Sequence, residues 1–281
     1  MNRPDLHMHS TFSDGTSTPT ELARMIQRRD VTLFSLTDHD TMKGLPEAAD
    51  AAYERGLAFI PGVEISTEGD DEVHVLGYGV KSDDLVLTAF FEKMAREREN
   101  RFIAMMDRLE ELGCPLPREE VKESAGGSLG RPHIGRALVA RGYARDLQDA
   151  FERLIGRGCP AYVPRPPLAA SDAIRLLKSR KAIPVLAHPG LIKWPQEKLM
   201  AMLKAWQGAG LMGIEVYHPA NEQMYSFWDR YARQNGLLVT GGSDYHDGTP
   251  RHAMIGETIP AWRTAAEDGW ALFKAARQTA L

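Results

Sequence analysis

The feature that most constrains this chain is an alternation. Short β-like runs are followed by amphipathic helices, and nearly every run ends in a histidine or a carboxylate. Residues 5–10 read as a strand, and Thr18-Pro19-Thr20-Glu21 then opens a helix with a Thr cap, Pro at its first position and an acidic first turn. Residues 31–37 form a second β-like run, residues 45–55 a helix closed by Gly56, and residues 57–65 and 72–78 two further strands. The alternation resumes late in the chain. Residues 183–187, 213–217 and 237–240 read as strands, with helices near 171–180, 196–207 and 222–234. Repeated βα units imply a parallel sheet or a barrel.

Between the two stretches, residues 82–164 read as mostly helix. Leu87, Phe91, Met94, Phe102, Met105, Leu109 and Leu112 form a stripe at three- and four-residue steps, ended by Gly113 and Pro115. Residues 132–141 and 147–157 predict two more helices, and Pro164-Arg165-Pro166-Pro167 closes the region. The expected fold class is α/β. A barrel is built from 1–81 and 165–281, and 82–164 form a small helical domain inserted into it and covering the active site.

Composition sets the outer limits. With 281 residues the chain is long enough for one large α/β domain carrying an insertion. A net charge of −4 argues against a protein that coats nucleic acid, so no stable nucleic-acid partner is expected, although a local basic pocket is compatible with it. Cys114 and Cys159 are too few for a disulfide framework and are expected as free thiols. Met1-Asn2-Arg3-Pro4 runs into a β-like segment with no apolar signal region, and no apolar run approaches the ~20 residues of a membrane span. A soluble, cytoplasmic protein without a membrane partner is the expectation. Met105-Met106, Met200 and Met202 are read as core fillers.

The chemistry sits at the strand ends. His7 and His9 are two apart on a strand, so both side chains leave the same face. His39 follows the second strand, Glu64 lies near the end of the third, His74 within the fourth, and His188 ends the fifth. Asp244 and His246 follow the last. In a barrel of parallel strands such positions converge on one mouth. A single strand-end histidine is more often structural, but the same residue types at one strand end after another point to a metal site. Neutral imidazoles mixed with carboxylates suit Mn²⁺, Fe²⁺ or Zn²⁺, and the absence of thiolates argues against structural zinc. So many candidate ligands call for more than one divalent ion. Paired ions are the usual arrangement for phosphate-ester hydrolysis, because they lower the pKa of bound water and neutralise phosphoryl charge.

Six motifs carry a resemblance. Asp5-Leu6-His7-Met8-His9-Ser10 with Asp14-Gly15, Thr37-Asp38-His39-Asp40, Gly62-Val63-Glu64-Ile65, Glu72-Val73-His74, Ala187-His188-Pro189-Gly190 and Ser243-Asp244-Tyr245-His246 occur in that order across nearly the whole chain. The sequence resembles the polymerase-and-histidinol-phosphatase (PHP) family of the amidohydrolase superfamily. That resemblance implies a distorted TIM-like barrel of about seven βα units and a trinuclear metal centre. It implies that His7, His9, Glu64 and Asp244 hold one metal, Glu64, His74 and His188 a second with Glu64 bridging, and Asp14, His39 and His246 a third. Aspartate at position 14, a histidine in some members, resembles the branch acting on nucleotide and sugar phosphates. Every ligand position is filled, which argues against a non-catalytic, polymerase-associated module. Glu64, Asp244 and His246 are the catalytic candidates, with Asp244 or His246 managing the proton.

Substrate recognition points to the helical region. Arg98 interrupts the apolar stripe, and Arg101 lies one turn on, on nearly the same face. These arginines either snorkel and pair with Glu97 or Glu99, or bind phosphate. Gly130-Arg131-Pro132-His133-Ile134-Gly135-Arg136 opens a helix, and a helix N-terminus beside Arg and His suits an anion. PHP phosphoesterases acting on nucleotide or ribose phosphates are similar in these segments. The resemblance therefore makes Arg98, Arg101, Arg131, His133 and Arg136 a clamp for a second phosphate. His218 and Asn221 follow another strand end and are either pocket-lining or structural. The expected substrate is a small doubly phosphorylated ester, either a 3′,5′-bisphosphonucleotide or ribose 5-phosphate 1,2-cyclic phosphate. Alternatives are 5′–3′ exonuclease action on short RNA and histidinol phosphate, whose cationic amine has no need of arginines. A C–N hydrolase fits the ligands but not the arginines.

Overall fold

Seven strands close around a common interior: β1 Arg3–Asp5, β2 Val31–Leu36, β3 Ala58–Ser66, β4 His74–Tyr78, β5 Ile183–Leu186, β6 Gly213–Tyr217 and β7 Leu238–Gly241, paired in sequence order. The computed structural model describes residues 3–67, 73–124, 129–164, 166–248, 253–256, 268–269 and 271–276. Glu72 and Arg165, which belong to two of the motifs above, lie outside them. The seam between the first and last strands is bridged just beyond their ends. Leu6 N donates to Gly241 O at 3.1 Å, Asp244 N to His7 O at 2.9 Å and His9 N to Tyr245 O at 2.8 Å. The result is a nearly closed barrel.

The strands read as near-continuous apolar runs because both of their faces are covered. Leu6, Leu33, Ile60, Leu76, Tyr78, Ile183 and Val185 belong to one buried cluster, joined by Leu272 and Ala276. The outer helices form where the sequence supplies stops and starts. Helix Pro19–Arg28 carries a full capping box: Thr18 Oγ1 accepts from Glu21 N, and Glu21 Oε2 accepts from Thr18 N. Helix Leu45–Glu54 also starts with Pro in its first turn. Helices Ala170–Ser179 and Gln196–Ala209 follow the expected spans. The helix expected at 222–234 begins only at Tyr225, after a 3₁₀ segment, Pro219–Met224.

One strand departs from the expected parallel barrel. β4 runs antiparallel to both β3 and β5, whereas β1–β3 and β5–β7 are parallel. This reversal has a consequence for the site. His74 is the first residue of β4 and pairs with Ser66 at the end of β3. The start of a reversed strand therefore lies at the same barrel end as the finishes of its parallel neighbours.

The chain divides into two compact units, one formed by Met1–Leu85 and Pro167–Leu281, the other by Val86–Pro166. The second is helical. Its long helix, Leu85–Glu111, buries Phe102, Met105, Met106 and Leu109 against Val121, Ile134, Leu138 and Ile155. Leu112, the last member of the expected stripe, is exposed, because the left-handed Gly113 ends the helix before that face can continue. Residues 147–157 form a short α-helix, Leu147–Ala150, continued by a π-turn, Phe151–Ile155. A short helix at Arg118–Ser124 has no counterpart in the sequence expectation. Among the described residues no helix is long and apolar enough to cross a membrane.

Candidate metal centre

Glu64, at the C-terminal end of β3, is the hub. Its Oε1 lies 3.0 Å from His74 Nδ1 and 2.9 Å from His188 Nε2. Its Oε2 lies 3.3 Å from both His7 Nε2 and His9 Nε2, and 3.0 Å from His39 Nδ1. Asp244 Oδ1 faces His7 Nε2 at 3.3 Å and His9 Nε2 at 3.1 Å. Asp14 Oδ1 lies 3.4 Å from His246 Nε2, and its Oδ2 lies 3.9 Å from His39 Nε2. Three sets offer ligand atoms within 4.8 Å of one another: His7, His9, Glu64 and Asp244; His39, Glu64 and His74; and His9, Asp14, His39 and His246. His188 joins them through Glu64. All nine expected ligand positions are thus brought together.

The loops that carry these groups are held in costly conformations. His188 and Asp244 both have positive φ, at 26° and 53°, a region non-glycine residues rarely adopt and which recurs at functional sites. A buried Asp5 carboxylate secures the seam by accepting from Ser243 N at 2.9 Å and Gly256 N at 3.0 Å. Asp38 does the same for the loop after β1, accepting from Ser10 N at 2.7 Å, Ser10 Oγ at 2.7 Å and Ser13 Oγ at 2.6 Å. Gly242 permits a close approach: a Cβ there would lie 2.4 Å from His7 N.

Several polar atoms of the cluster are buried with no hydrogen-bond partner among the described residues: His7 Nε2, His9 Nδ1, Asp14 Oδ1 and Glu64 Oε2. Each such atom costs about 1–3 kcal/mol if nothing pairs with it. Buried lone pairs of imidazole and carboxylate that crowd together without hydrogen bonds fit divalent cations. The electrostatics agree. Burial pushes the His39 imidazole down to about 4 and also lowers that of His188, so both are neutral near pH 7. Burial opposes the charged form of His9 too, but Asp244 and Glu64 outweigh it and push the ring up to about 10. His7 rises likewise, against burial, through Glu215, Asp244 and Glu64. Glu64, Asp244 and Asp14 are held well below the usual carboxylate range by the surrounding histidines, although burial works the other way. Without metal, protons on His7 and His9 supply the positive charge the carboxylates require.

The catalytic candidates all lie in this cluster. His246 Nδ1 donates to the Asp244 backbone carbonyl at 2.8 Å, and its Nε2 faces Asp14 Oδ1 at 3.4 Å. His218 Nδ1 accepts from Ala220 N at 3.1 Å, which leaves Nε2–H to donate to Asp244 Oδ2 at 3.3 Å. Both of its ring nitrogens are thus engaged, one with the backbone and one with Asp244. Asn221 is structural: its Nδ2 donates to Glu215 O and Val216 O, and its Oδ1 accepts from Gly190 N. Sequence reading missed Glu215, whose Oε1 lies 2.9 Å from His7 Nδ1. The available signal was a single charged residue inside the apolar run Gly213-Ile214-Glu215-Val216-Tyr217.

The basic residues expected to bind substrate lie on the second unit. Arg101 is buried, its Nε donates to Val163 O at 2.6 Å, and its guanidinium lies 5.3 Å from the Tyr162 ring. The Arg131 guanidinium lies 5.7 Å from the same ring and 5.5 Å from Phe151. His133 is buried and its Nδ1 accepts from Gly130 N at 3.1 Å, which occupies part of the helix N-terminus. Arg98 is half-buried on the long helix and Arg136 is exposed on helix Arg131–Ala140. Glu97 pairs with Lys93, and Glu99 with Lys122.

Known proteins match this chain along most of its length. The PHP domain model covers residues 5–155. A 5′-3′ exoribonuclease of Haemophilus influenzae is 34% identical over 92% of this chain and 97% of its own. A 3′,5′-nucleoside bisphosphate phosphatase of Chromobacterium violaceum is 32% identical over 92% of this chain and 95% of its own. A solved structure from Bifidobacterium adolescentis, assigned as a metal-dependent phosphoesterase, superposes with a TM-score of 0.81 at 30% identity, covering 95% of each chain. With its strand-end ligand motifs, its barrel and these relatives, the chain belongs to the PHP domain family of metal-dependent phosphoesterases.

Proposed function

We propose that the chain is a trinuclear phosphoesterase that removes phosphate from a small nucleotide carrying a second phosphate, with 3′,5′-bisphosphonucleotides as its substrate class. The observation that carries this reading is the convergence of five imidazoles on the sealed Glu64 carboxylate. In this reading His7 and His9, through Nε2, hold the first ion with Glu64 and Asp244. Glu64, His74 and His188 hold the second, and Asp14, His39 and His246 the third. The division of Glu64 supports it, since Oε1 faces His74 and His188 while Oε2 faces His7 and His9. Manganese suits this nitrogen and oxygen set best, with iron or zinc as alternatives. When bound, the ions lower the pKa of water and neutralise charge on the phosphoryl oxygens.

Asp244 is the group we assign to the proton. Its side chain is 20% exposed, whereas that of Glu64 is fully sealed. His246 is committed through both ring nitrogens, and His218 Nε2–H holds Asp244 Oδ2 in place. Arg98, Arg101, Arg131, His133 and Arg136 are assigned to the second phosphate. Arg101 and Arg131 bring two like charges to one aromatic ring, an arrangement that an anion stabilises. The Chromobacterium violaceum relative acts on a nucleoside bisphosphate by name, which supports that substrate class. The exoribonuclease relative favours a second reading, in which the same ester chemistry acts at a short RNA 5′ end.

The test is product release with added Mn²⁺ from a 3′,5′-bisphosphonucleotide, ribose 5-phosphate 1,2-cyclic phosphate, a 5′-phosphorylated oligoribonucleotide and histidinol phosphate. The bisphosphonucleotide should give the highest kcat/KM. Mononucleotide release from the oligomer, with the bisphosphonucleotide inert, would transfer the function to the second reading. No product at any metal loading would overturn both. Arg136→Ala should raise KM about tenfold at unchanged kcat, the worth of one charge-assisted hydrogen bond. The residue is exposed, so folding should not suffer. An unchanged KM would remove Arg136 from the phosphate clamp.

A further inference from the structure

Glu215 is a fully buried carboxylate in β6 that belongs to none of the three ligand sets. It nevertheless touches two ligand residues from different strands. Oε1 accepts from His7 Nδ1 at 2.9 Å, and Oε2 accepts from the His188 backbone N at 2.8 Å. The first contact sets the tautomer that His7 would present to a metal: the proton stays on Nδ1, and Nε2, on the side of Glu64 and Asp244, is the nitrogen left to bind. The second holds the His188 backbone in its positive-φ conformation. The strand end that carries Glu215 is itself pinned. Asn221 Nδ2 donates to Glu215 O at 2.8 Å, and Asn221 Oδ1 accepts from Gly190 N at 2.6 Å, in the loop that follows His188. That crossing leaves no slack, since a Cβ at Gly190 would lie 2.2 Å from Ala220 O.

We infer that Glu215 is a positioning residue that couples the first two metal positions, aiming His7 at one and fixing the His188 loop at the other with a single carboxylate. The inference rests on the reading of His7 and His188 as ligands. An amide cannot substitute. It offers one acceptor and one donor where the protein presents two N–H groups, so either His7 or His188 meets an N–H facing an N–H.

The test uses the full chain. Zn²⁺ and Mn²⁺ affinities are measured by chelator competition for the wild type and Glu215→Gln, with kcat and KM followed as metal is titrated. Loss of a hydrogen-bond partner behind a ligand typically weakens metal binding about 10–100-fold. That loss is expected here, with the metal dependence of the rate displaced in parallel and substrate KM unchanged at saturating metal. A purely structural role would lower the melting temperature without moving the metal dependence. Wild-type affinity in a folded Glu215→Gln variant would overturn the inference. Should that variant not fold, ¹⁵N shifts of the ring nitrogens in the Zn²⁺-loaded wild type decide it. His7 must be protonated at Nδ1 and metal-bound at Nε2, and the opposite tautomer overturns the inference. A wild-type chain that binds neither ion would instead sink the ligand assignment beneath it.

Discussion

Glu64→Gln is expected to lower kcat/KM for phosphate release by at least about 10³-fold while leaving the chain folded. The magnitude follows from what the carboxylate does. A divalent ion acting on a phosphoryl group supplies several kcal/mol of transition-state stabilisation. At about 1.4 kcal/mol per tenfold, losing ~4 kcal/mol gives about 10³. Glu64 lies in two of the three ligand sets, and its two oxygens face five imidazoles. Gln keeps the volume of the side chain, so the close packing around β3 survives. It loses the negative charge and turns an N–H donor toward rings whose lone pairs should meet a cation. His39 turns Nδ1 to Glu64 at 3.0 Å but its Nε2 to Asp14 at 3.9 Å, so the third position, which also has His246, should keep its ion. Metal analysis should therefore show partial rather than complete loss, alongside near-complete loss of turnover. Near-normal turnover in the folded variant would remove Glu64 from the centre of the mechanism. His9→Ala serves as a companion, since His9 contacts Glu64, Asp244 and Asp14 and belongs to two of the sets.

Much of this site is legible in the sequence because strand geometry is simple. Two-residue spacing puts His7 and His9 on one face, and the closing of a barrel brings strand ends together. The direction of β4 is not legible. An apolar run such as Val75-Leu76-Gly77-Tyr78 has the same periodicity read either way, so nothing local shows that the strand is reversed. His74 is a sound ligand candidate, but it sits at the start of its strand rather than toward its end. Glu215 escapes for a different reason. A carboxylate behind a ligand needs no spacing relative to the ligand motifs, and its partners His7 and His188 come from other strands. The helical unit shows the limit of motif reading most clearly. Pro in the first turn with His one residue on describes an anion site and a self-capped helix equally well, and His133 Nδ1 is turned to Gly130 N. Arg101 is conspicuous beside the apolar stripe that Arg98 interrupts, but Tyr162, the ring it shares with Arg131, lies far along the chain and could come only from the folded structure.

Stripping the metal should lower Tm by about 10 °C, and the gap between metal-loaded and metal-free protein should widen as pH rises. At a thousandfold excess over Kd, a ligand that binds only the folded state adds about 4 kcal/mol. For a chain of this size each kcal/mol moves Tm by about 2–4 °C. The pH trend follows from His9. Its folded value, pushed up to about 10, lies above its ordinary 6.5 because Asp244 and Glu64 outweigh burial. A raised histidine stabilises the fold fully below its unfolded pKa, and that contribution is lost as pH climbs through the folded one. Metal-free protein should therefore weaken progressively from about pH 6.5 upward. Metal binding has the opposite dependence. It must displace the protons on His7 and His9, so its affinity falls on acidification and grows toward alkaline pH. Both trends widen the gap in the same direction. Melting curves with Mn²⁺ and with a chelator, taken between pH 6 and 9, measure it directly. A gap that narrows with pH would mean that protons and metal do not compete for His7 and His9, and that the positive charge demanded by Glu64 and Asp244 is supplied elsewhere.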